Sequence, residues 1–391
     1  MRSLAGILHG SRVFGGPLQA YLHITNRCNI RCVHCPFFSP YIERPILLEM
    51  RRARLAGSTL PDDDYAAALQ KHRRTVDADS GHTRAILDEL LGMGTRHFTF
   101  AGSGEPFLHP NIVEFMGRVK RARRACVVYT NGTLLNRDTI DELIKMGADE
   151  IRVSLMAGSR ELYEHTHGGL GKKTFETIRD NLLYLSQRKR ATGSDRPVVT
   201  LINVVFSKNS EGLFDCVEFA ETVRADRVYF HPFDDFGDAG LSRLVPTKTQ
   251  AAFVREQLTM LRTHLEARKI GHNIEFFQKV FRNKINTMEL YKNIPCHMGW
   301  LGVLFKPDGR VYPCCSCYTP LGNAYEGGFN NIWKGDAYRK FRKEAMRINT
   351  SGRPVEGCGC DSCPHYTLNL RVYKFLHPFK RHPYGSVISE E

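Results

Sequence analysis

Residues 20–35 read AYLHIT, then Asn26 and Arg27, then CNIRCVHC: a short apolar run followed by three cysteines, Cys28, Cys32 and Cys35, spaced CxxxCxxC. Three thiolates on one tight loop can hold three irons of a cubic [4Fe–4S] cluster and leave the fourth iron without a protein ligand. An iron with an open position can bind and activate a small molecule, much as a catalytic zinc does through its free site. Zinc is the other reading of three thiols. It prefers two CxxC pairs or Cys/His mixtures, and only one short pair stands here, with His34 adjacent.

Downstream of the loop, strand-like and helix-like segments alternate. His97–Ala101, Cys126–Thr130, Glu150–Leu155, Val198–Phe206 and Arg227–His231 are β-branched or aromatic runs that predict strands. Pro110–Arg121, Arg137–Met146, Lys173–Gln187 and Leu213–Val223 predict helices, with apolar residues three and four apart, as in Ile140, Leu143 and Ile144 or Phe175, Ile178 and Leu182. The strands are nearly continuous in apolar character, which predicts burial on both faces. Such repetition gives a parallel sheet with right-handed crossovers, open or curled toward a barrel. Ser39–Ala78 breaks the rhythm: it is long, charged and irregular, and is expected to be functional or disordered, with a water-excluding lid as one role. Thr247–Lys269 predicts a longer helix and sets the domain junction nearby. The expected division is residues 1–245 as an α/β core with insertion 39–78, 246–295 as a helical connection, and 296–391 as a cysteine-rich module.

The bulk numbers fit one large domain plus a smaller one: 391 residues, 42% hydrophobic and 25% charged. No stretch approaches the roughly 18 apolar residues that span a bilayer, and Met1–Gly16 carries no secretory pattern. A soluble, cytoplasmic protein without a membrane partner is expected. The net charge of +14 suits an anionic partner or simply a solvated surface. The densest basic runs, Lys120–Arg124 and Arg188–Arg190, end helical patterns, where they complement the helix dipole. Of twelve cysteines, three fall within 28–35 and seven within 296–363, leaving Cys126 and Cys216 between. With no sign of an oxidising compartment, that clustering reads as metal ligation rather than as disulfides.

The cysteine motif, on the loop after the first strand of an α/β repeat, resembles the radical S-adenosylmethionine (SAM) superfamily. The resemblance covers roughly Ala20 to His231 and implies a partial (β/α)6 TIM-like barrel. It also implies that SAM chelates the unique iron, that one electron cleaves its C5′–S bond, and that a 5′-deoxyadenosyl radical abstracts a substrate hydrogen. His34 holds the place before the third cysteine where the family usually has an aromatic residue. Gly102-Ser-Gly104-Glu105-Pro106 resembles the GGEP segment whose backbone groups receive the SAM amino group, and Thr130-Asn131-Gly132 resembles the TNG turn. Ser154 and Asn203 occupy strand positions where relatives often contact the ribose and carboxylate of SAM; each also reads as a satisfied buried polar residue. The expected SAM-binding set is thus His34, Gly102, Gly104, Glu105, Thr130, Asn131, Ser154 and Asn203.

Near the C-terminus, Asp308-Gly309 is a hairpin signal that can bring Cys296 and Cys314 together, and Cys360 and Cys363 form a CxxC pair. These four thiolates, separated by 18, 46 and 3 positions, make a closed site that suits structural zinc or iron–sulfur. Beside the first motif, the CxnGx4C pattern resembles the SPASM/twitch auxiliary domains. The full SPASM pattern is missing, so the resemblance implies the shorter twitch module with one auxiliary [4Fe–4S] cluster. Cys315, Cys317 and Cys358 are surplus: spectators, alternative ligands, part of a second cluster site, or a hydrogen-atom donor.

What meets the substrate radical decides the product. Twitch relatives include dehydrogenases and epimerases of sugars or aminocyclitols, and SPASM relatives are mostly peptide maturases. Only some 20 residues precede the first strand, fewer than a leader-binding module, which favours a small carbohydrate-like substrate, phosphorylated or nucleotide-linked to match the basic charge. Oxidation or epimerisation of such a molecule is the main expectation, with an external one-electron donor such as flavodoxin or ferredoxin. Modification of a ribosomal peptide is the alternative. A non-catalytic zinc or iron–sulfur protein on nucleic acid is the third reading, and a nucleic-acid partner is not expected.

Overall fold

A computed structural model describes residues 2–42, 76–169, 171, 173–235, 238–283 and 287–379. Most of the 39–78 insertion therefore lies outside the described residues. Twelve strands are formed among the described residues: β1 (Gln19–His23), β2 (Arg31–Cys32), β3 (His97–Ala101), β4 (Ala125–Thr130), β5 (Glu150–Ser154), β6 (His167–Gly168), β7 (Val198–Val205), β8 (Arg227–Pro232), β9 (Gly271–His272), β10 (Gly302–Phe305), β11 (Arg310–Tyr312) and β12 (Gly322–Asn323). Ten of them make one sheet in the order β12-β11-β10-β1-β3-β4-β5-β7-β8-β9, and β2 pairs with β6 apart from it. From β10 through β9 every neighbouring pair is parallel, while β11 and β12 turn antiparallel.

Helices Ser80–Gly92, Ile112–Arg121, Arg137–Lys145, Thr174–Thr192, Leu213–Val223 and Lys248–Arg268 supply the crossovers, as parallel neighbours require. Their ends follow local chemistry. Asp79 and Asn136 accept N-terminal amides, Thr247 and Gln250 form a capping box, and Gly193 ends its helix in the left-handed region. β1, β3, β4, β5, β7 and β8 with their helices form the expected open (β/α)6 arrangement. β9 and β12 are the edges of the ten-stranded sheet, so among the described residues the barrel does not close.

The strands are not buried alike on both faces. Ala20, Leu22, Phe98, Phe100, Val128, Ile151, Val153, Leu201, Val228 and Phe230 join Leu87, Phe115, Leu143, Ile178 and Val217 of the helices in one core. The alternate residues Tyr21, Thr99, Tyr129, Arg152 and Ser154 are only half-buried and face the concave side. Inside an open barrel that side is a cleft, which the run of apolar letters concealed. The basic runs lie on the outside with acidic partners: Lys120 pairs with Asp149, Arg188 with Asp141 and Lys189 with Asp226. Among the described residues, no helix is long and apolar enough to cross a membrane.

The C-terminal region is continuous with this sheet. β10 runs beside β1, with Tyr21 opposite Leu304. The Asp308-Gly309 turn joins β10 to β11 as expected. Gly309 sits at φ +83°, and a Cβ there would come within 2.2 Å of Asn323 Oδ1, so glycine is required.

Candidate active site

The concave face opens into a cleft of roughly 480 Å³ at the C-terminal ends of the strands. Cys28, Cys32 and Cys35 line it from the loop after β1, together with His34, Gly102, Gly104, Glu105, Thr130, Asn131 and Ser154. Seven of the eight expected SAM contacts therefore converge with the three cysteines. Asn203 does not line the cleft. Its register puts it opposite Phe230, on the face that packs against the helices, where both its amide atoms are buried without a hydrogen-bond partner. A one-residue step in a strand reverses the face, and the letters alone do not reveal that step.

The loop is anchored by what surrounds it. A Cβ on Gly104 would lie 2.1 Å from the Arg27 carbonyl oxygen, and Glu105 N–H donates to that same oxygen at 2.7 Å. Only glycine lets the strand end and the cysteine loop approach so closely. Buried Glu105 then accepts from Thr130 Oγ1 (2.8 Å), Asn131 N–H (2.6 Å) and Phe107 N–H (3.1 Å). Asn131 Nδ2 donates to Asn29 Oδ1 at 2.9 Å, inside the cysteine motif. The three segments read separately from sequence are thus one hydrogen-bonded knot. Burial lifts the Glu105 carboxyl to about 7, against the three donors that favour its charged form.

Burial also raises all three thiols, Cys35 to about 11, and the neighbouring thiolates add to the rise at Cys32. Such thiols stay protonated unless a metal displaces the proton. A trio of thiols at the edge of a lined cleft fits a cluster that leaves one iron facing the cleft.

Four further sulfurs gather near the β10–β11 hairpin. Burial dominates the raised proton affinity of Cys296, Cys314, Cys360 and Cys363, and neighbouring thiols add to the rise at Cys296, Cys314 and Cys363. Thr287 Oγ1 donates to the Cys360 carbonyl (2.5 Å) and accepts from Cys363 N–H (2.9 Å). Tyr291 Oη lies 3.2 Å from Cys363 Sγ and accepts from Asn369 Nδ2 at 2.9 Å. Four thiols, three of them buried and Cys363 half-buried, gathered in a closed site fit a second cluster. Of the surplus cysteines, Cys317 and Cys358 face each other across an isolated β-bridge and form a disulfide, which the reading of every cysteine as ligand or spare thiol did not anticipate. Cys315 is exposed, with Sγ 3.3 Å from His365 Nε2.

Sequence reading passed over several residues here. Tyr21 lines the cleft from β1, and its ring lies 6.0 Å from that of His365, two residues beyond Cys363. Arg152 reaches along the inner face to Tyr129 (2.6 Å) and Glu150 (3.0 Å). His167 stands beside Cys32. The signal for Tyr21 and Arg152 was their alternation with core residues; His167 had none, because it lies over a hundred positions away.

Two family models match the chain: the radical SAM superfamily over residues 22–220, and SPASM, an iron–sulfur cluster-binding domain, over residues 296–364. The antilisterial bacteriocin subtilosin biosynthesis protein AlbA of Bacillus subtilis is 25% identical over 367 residues, spanning 91% of this chain and 67% of AlbA. The PqqA peptide cyclase of Granulibacter bethesdensis is 24% identical over 337 residues, spanning 83% of this chain and 76% of the cyclase. Among solved structures, Streptococcus suis SuiB bound to S-adenosylmethionine superposes with a TM-score of 0.59 at 15% identity, over 91% of this chain and 76% of SuiB.

Proposed function

Since the chain belongs to the radical SAM superfamily and carries a SPASM iron–sulfur domain, we propose that it is a peptide maturase that installs a crosslink, a thioether or an inverted stereocentre. Its cofactors are S-adenosylmethionine and [4Fe–4S] clusters. The observation that carries the peptide reading is the similarity to AlbA and to the PqqA peptide cyclase, which spans 91% and 83% of this chain. It favours a peptide over the carbohydrate-like substrate expected from sequence.

In this reading Cys28, Cys32 and Cys35 hold the first cluster, and His34, Gly102, Gly104, Glu105, Thr130, Asn131 and Ser154 cradle SAM. When bound, that cluster supplies the electron that splits the sulfonium and creates a hydrogen-abstracting radical. Cys296, Cys314, Cys360 and Cys363 hold one auxiliary cluster. Residues 1–245 form the core, 246–295 the connection and 296–391 the auxiliary module, with an external flavodoxin- or ferredoxin-type donor delivering electrons. Tyr21, Tyr129, Phe37 and Phe233 give the cleft an aromatic wall.

The test is anaerobic incubation of the cluster-loaded chain with SAM, dithionite and the short peptides encoded beside its gene. The expected products have lost two hydrogens, or have gained deuterium from solvent with an inverted residue. Peptides left unchanged while a sugar or aminocyclitol loses two hydrogens would overturn the reading.

A further inference from the structure

Cys32 belongs to a second arrangement besides the cysteine loop. One donor atom each from Cys32, His34 and His167 lies within 4.8 Å of the others. The short β2–β6 pairing sets Cys32 opposite His167, and Val33 N–H donates to the Thr166 carbonyl at 2.9 Å. Both rings are buried, at 8% and 6% exposure. Phe206 stacks on His34 at 5.0 Å, and Tyr163 lies flat on His167 at 4.2 Å and 5°, so neither ring turns freely.

Thr166 Oγ1 donates to the Leu162 carbonyl at 2.6 Å and lies 2.8 Å from His167 Nδ1. With Nδ1 engaged there, Nε2 is the nitrogen of His167 left to meet a metal. That nitrogen and His34 Nδ1 are both buried and make no hydrogen bond. Two unsatisfied ring nitrogens beside a thiol are a costly arrangement for a structure with nothing to bind.

We propose that Cys32, His34 and His167 bind a single divalent transition ion of the zinc type whenever the cysteine loop carries no cluster. A tetrahedral zinc with bonds of about 2.0–2.3 Å brings its donors to within roughly 3.5 Å of one another, so the trio closes by about 1 Å. On binding, the Cys32 S–H bond breaks, an S–metal bond forms, and the proton passes to solvent; no electron is exchanged. Water fills the fourth position. Both assemblies draw on Cys32, so the ion and the iron–sulfur cluster compete for this loop, and metal supply gates cluster loading there.

Cobalt(II) is the spectroscopic probe. The full chain carrying Cys28→Ser and Cys35→Ser, which cannot build the first cluster, is titrated alongside the same chain with His167→Phe or His34→Phe added. The auxiliary thiols are common to all and cancel. One additional cobalt per chain is expected in the parent, with tetrahedral d–d bands and charge transfer from a single thiolate, displaced by zinc and bound at least tenfold more tightly than in either histidine variant. Equal stoichiometry with affinities within twofold across the three chains would overturn the site. Should the phenylalanine variants fail to fold, Cys32→Ser in the same background must lose one cobalt per chain and one thiolate's share of the charge-transfer intensity, the auxiliary thiolates keeping theirs, and full retention of both refutes the proposal. In the unsubstituted cluster-free chain, prior zinc should slow iron uptake at the loop, and an unchanged rate counts against the gating role.

Discussion

Cys28, Cys32 and Cys35 lie within eight consecutive residues on one loop, whereas Cys296, Cys314, Cys360 and Cys363 are drawn from 68 positions that include a hairpin and several helices. The first group is half-exposed at the rim of a cleft. The second packs into an apolar cluster with Tyr291, Ile294, Trp300, Leu301 and Tyr366. A local motif beside an open space suits a metal that must exchange ligands. A closed site assembled across the fold ties its metal to the folding of the surrounding chain. Similar donor atoms thus support reaction in one region and permanence in the other.

The largest effect expected from breaking this contrast is on the first group. Replacing Cys28, Cys32 and Cys35 with Ala should abolish 5′-deoxyadenosine formation and remove half of about eight irons, with the rest retained; chromatography of the SAM products and iron analysis read both. The converse change, Cys360→Ser with Cys363→Ser, should also halve the iron. It should leave SAM cleavage measurable but loosen residues 287–376, seen as faster amide exchange there and unchanged exchange in β3 to β5. Loosening across the whole sheet would mean the two sites are not separable.

Smaller changes sharpen the comparison. Gly104→Ala forces a methyl group against the Arg27 carbonyl and should cost about 1–3 kcal/mol, with iron lost from the first site only. Glu105 supplies a pH signature. Its protonated form is favoured in the fold, so its stabilisation is complete below about 4.5 and is lost as pH rises through about 7. Denaturant titrations of the cluster-free chain should show a loss on the order of 3 kcal/mol across that window, and Glu105→Gln should flatten it; a slope unchanged by the substitution rejects the assignment. Least affected should be Tyr291→Phe, which deletes one hydroxyl between Asn369 and Cys363, costs about 1 kcal/mol and shifts the auxiliary centre's electron paramagnetic resonance signal without touching the first.

The same contrast explains what the sequence disclosed. The helices and strands were legible because their periodicity is local: Leu213–Val223 and His97–Ala101 end where the pattern ends. The CxxxCxxC loop, the Gly102–Pro106 turn and the Asp308-Gly309 hairpin were legible for the same reason. What escaped depends on which distant segments meet. Asn203 sits one register step from the inner face, His167 reaches Cys32 only through a two-residue strand pairing, and Cys317 meets Cys358 across 41 positions. Tyr21 looked like one apolar letter among several until the barrel's inner face proved to be a cleft.

One further consequence lies in the seam where β10 lies alongside β1. A C-terminal unit joined by a tether would be free to swing, but a unit that lends a strand to its neighbour is held at fixed distance and orientation by backbone amides. Cutting the chain before Gly302 would strip β1 of its outer partner and bare a row of unpaired N–H and C=O groups on the strand that delivers the first cysteines. Edges of that kind recruit other chains. A truncated core is therefore expected to aggregate before it can be assayed, and the two metal centres have to be dissected by point substitution rather than by scissors.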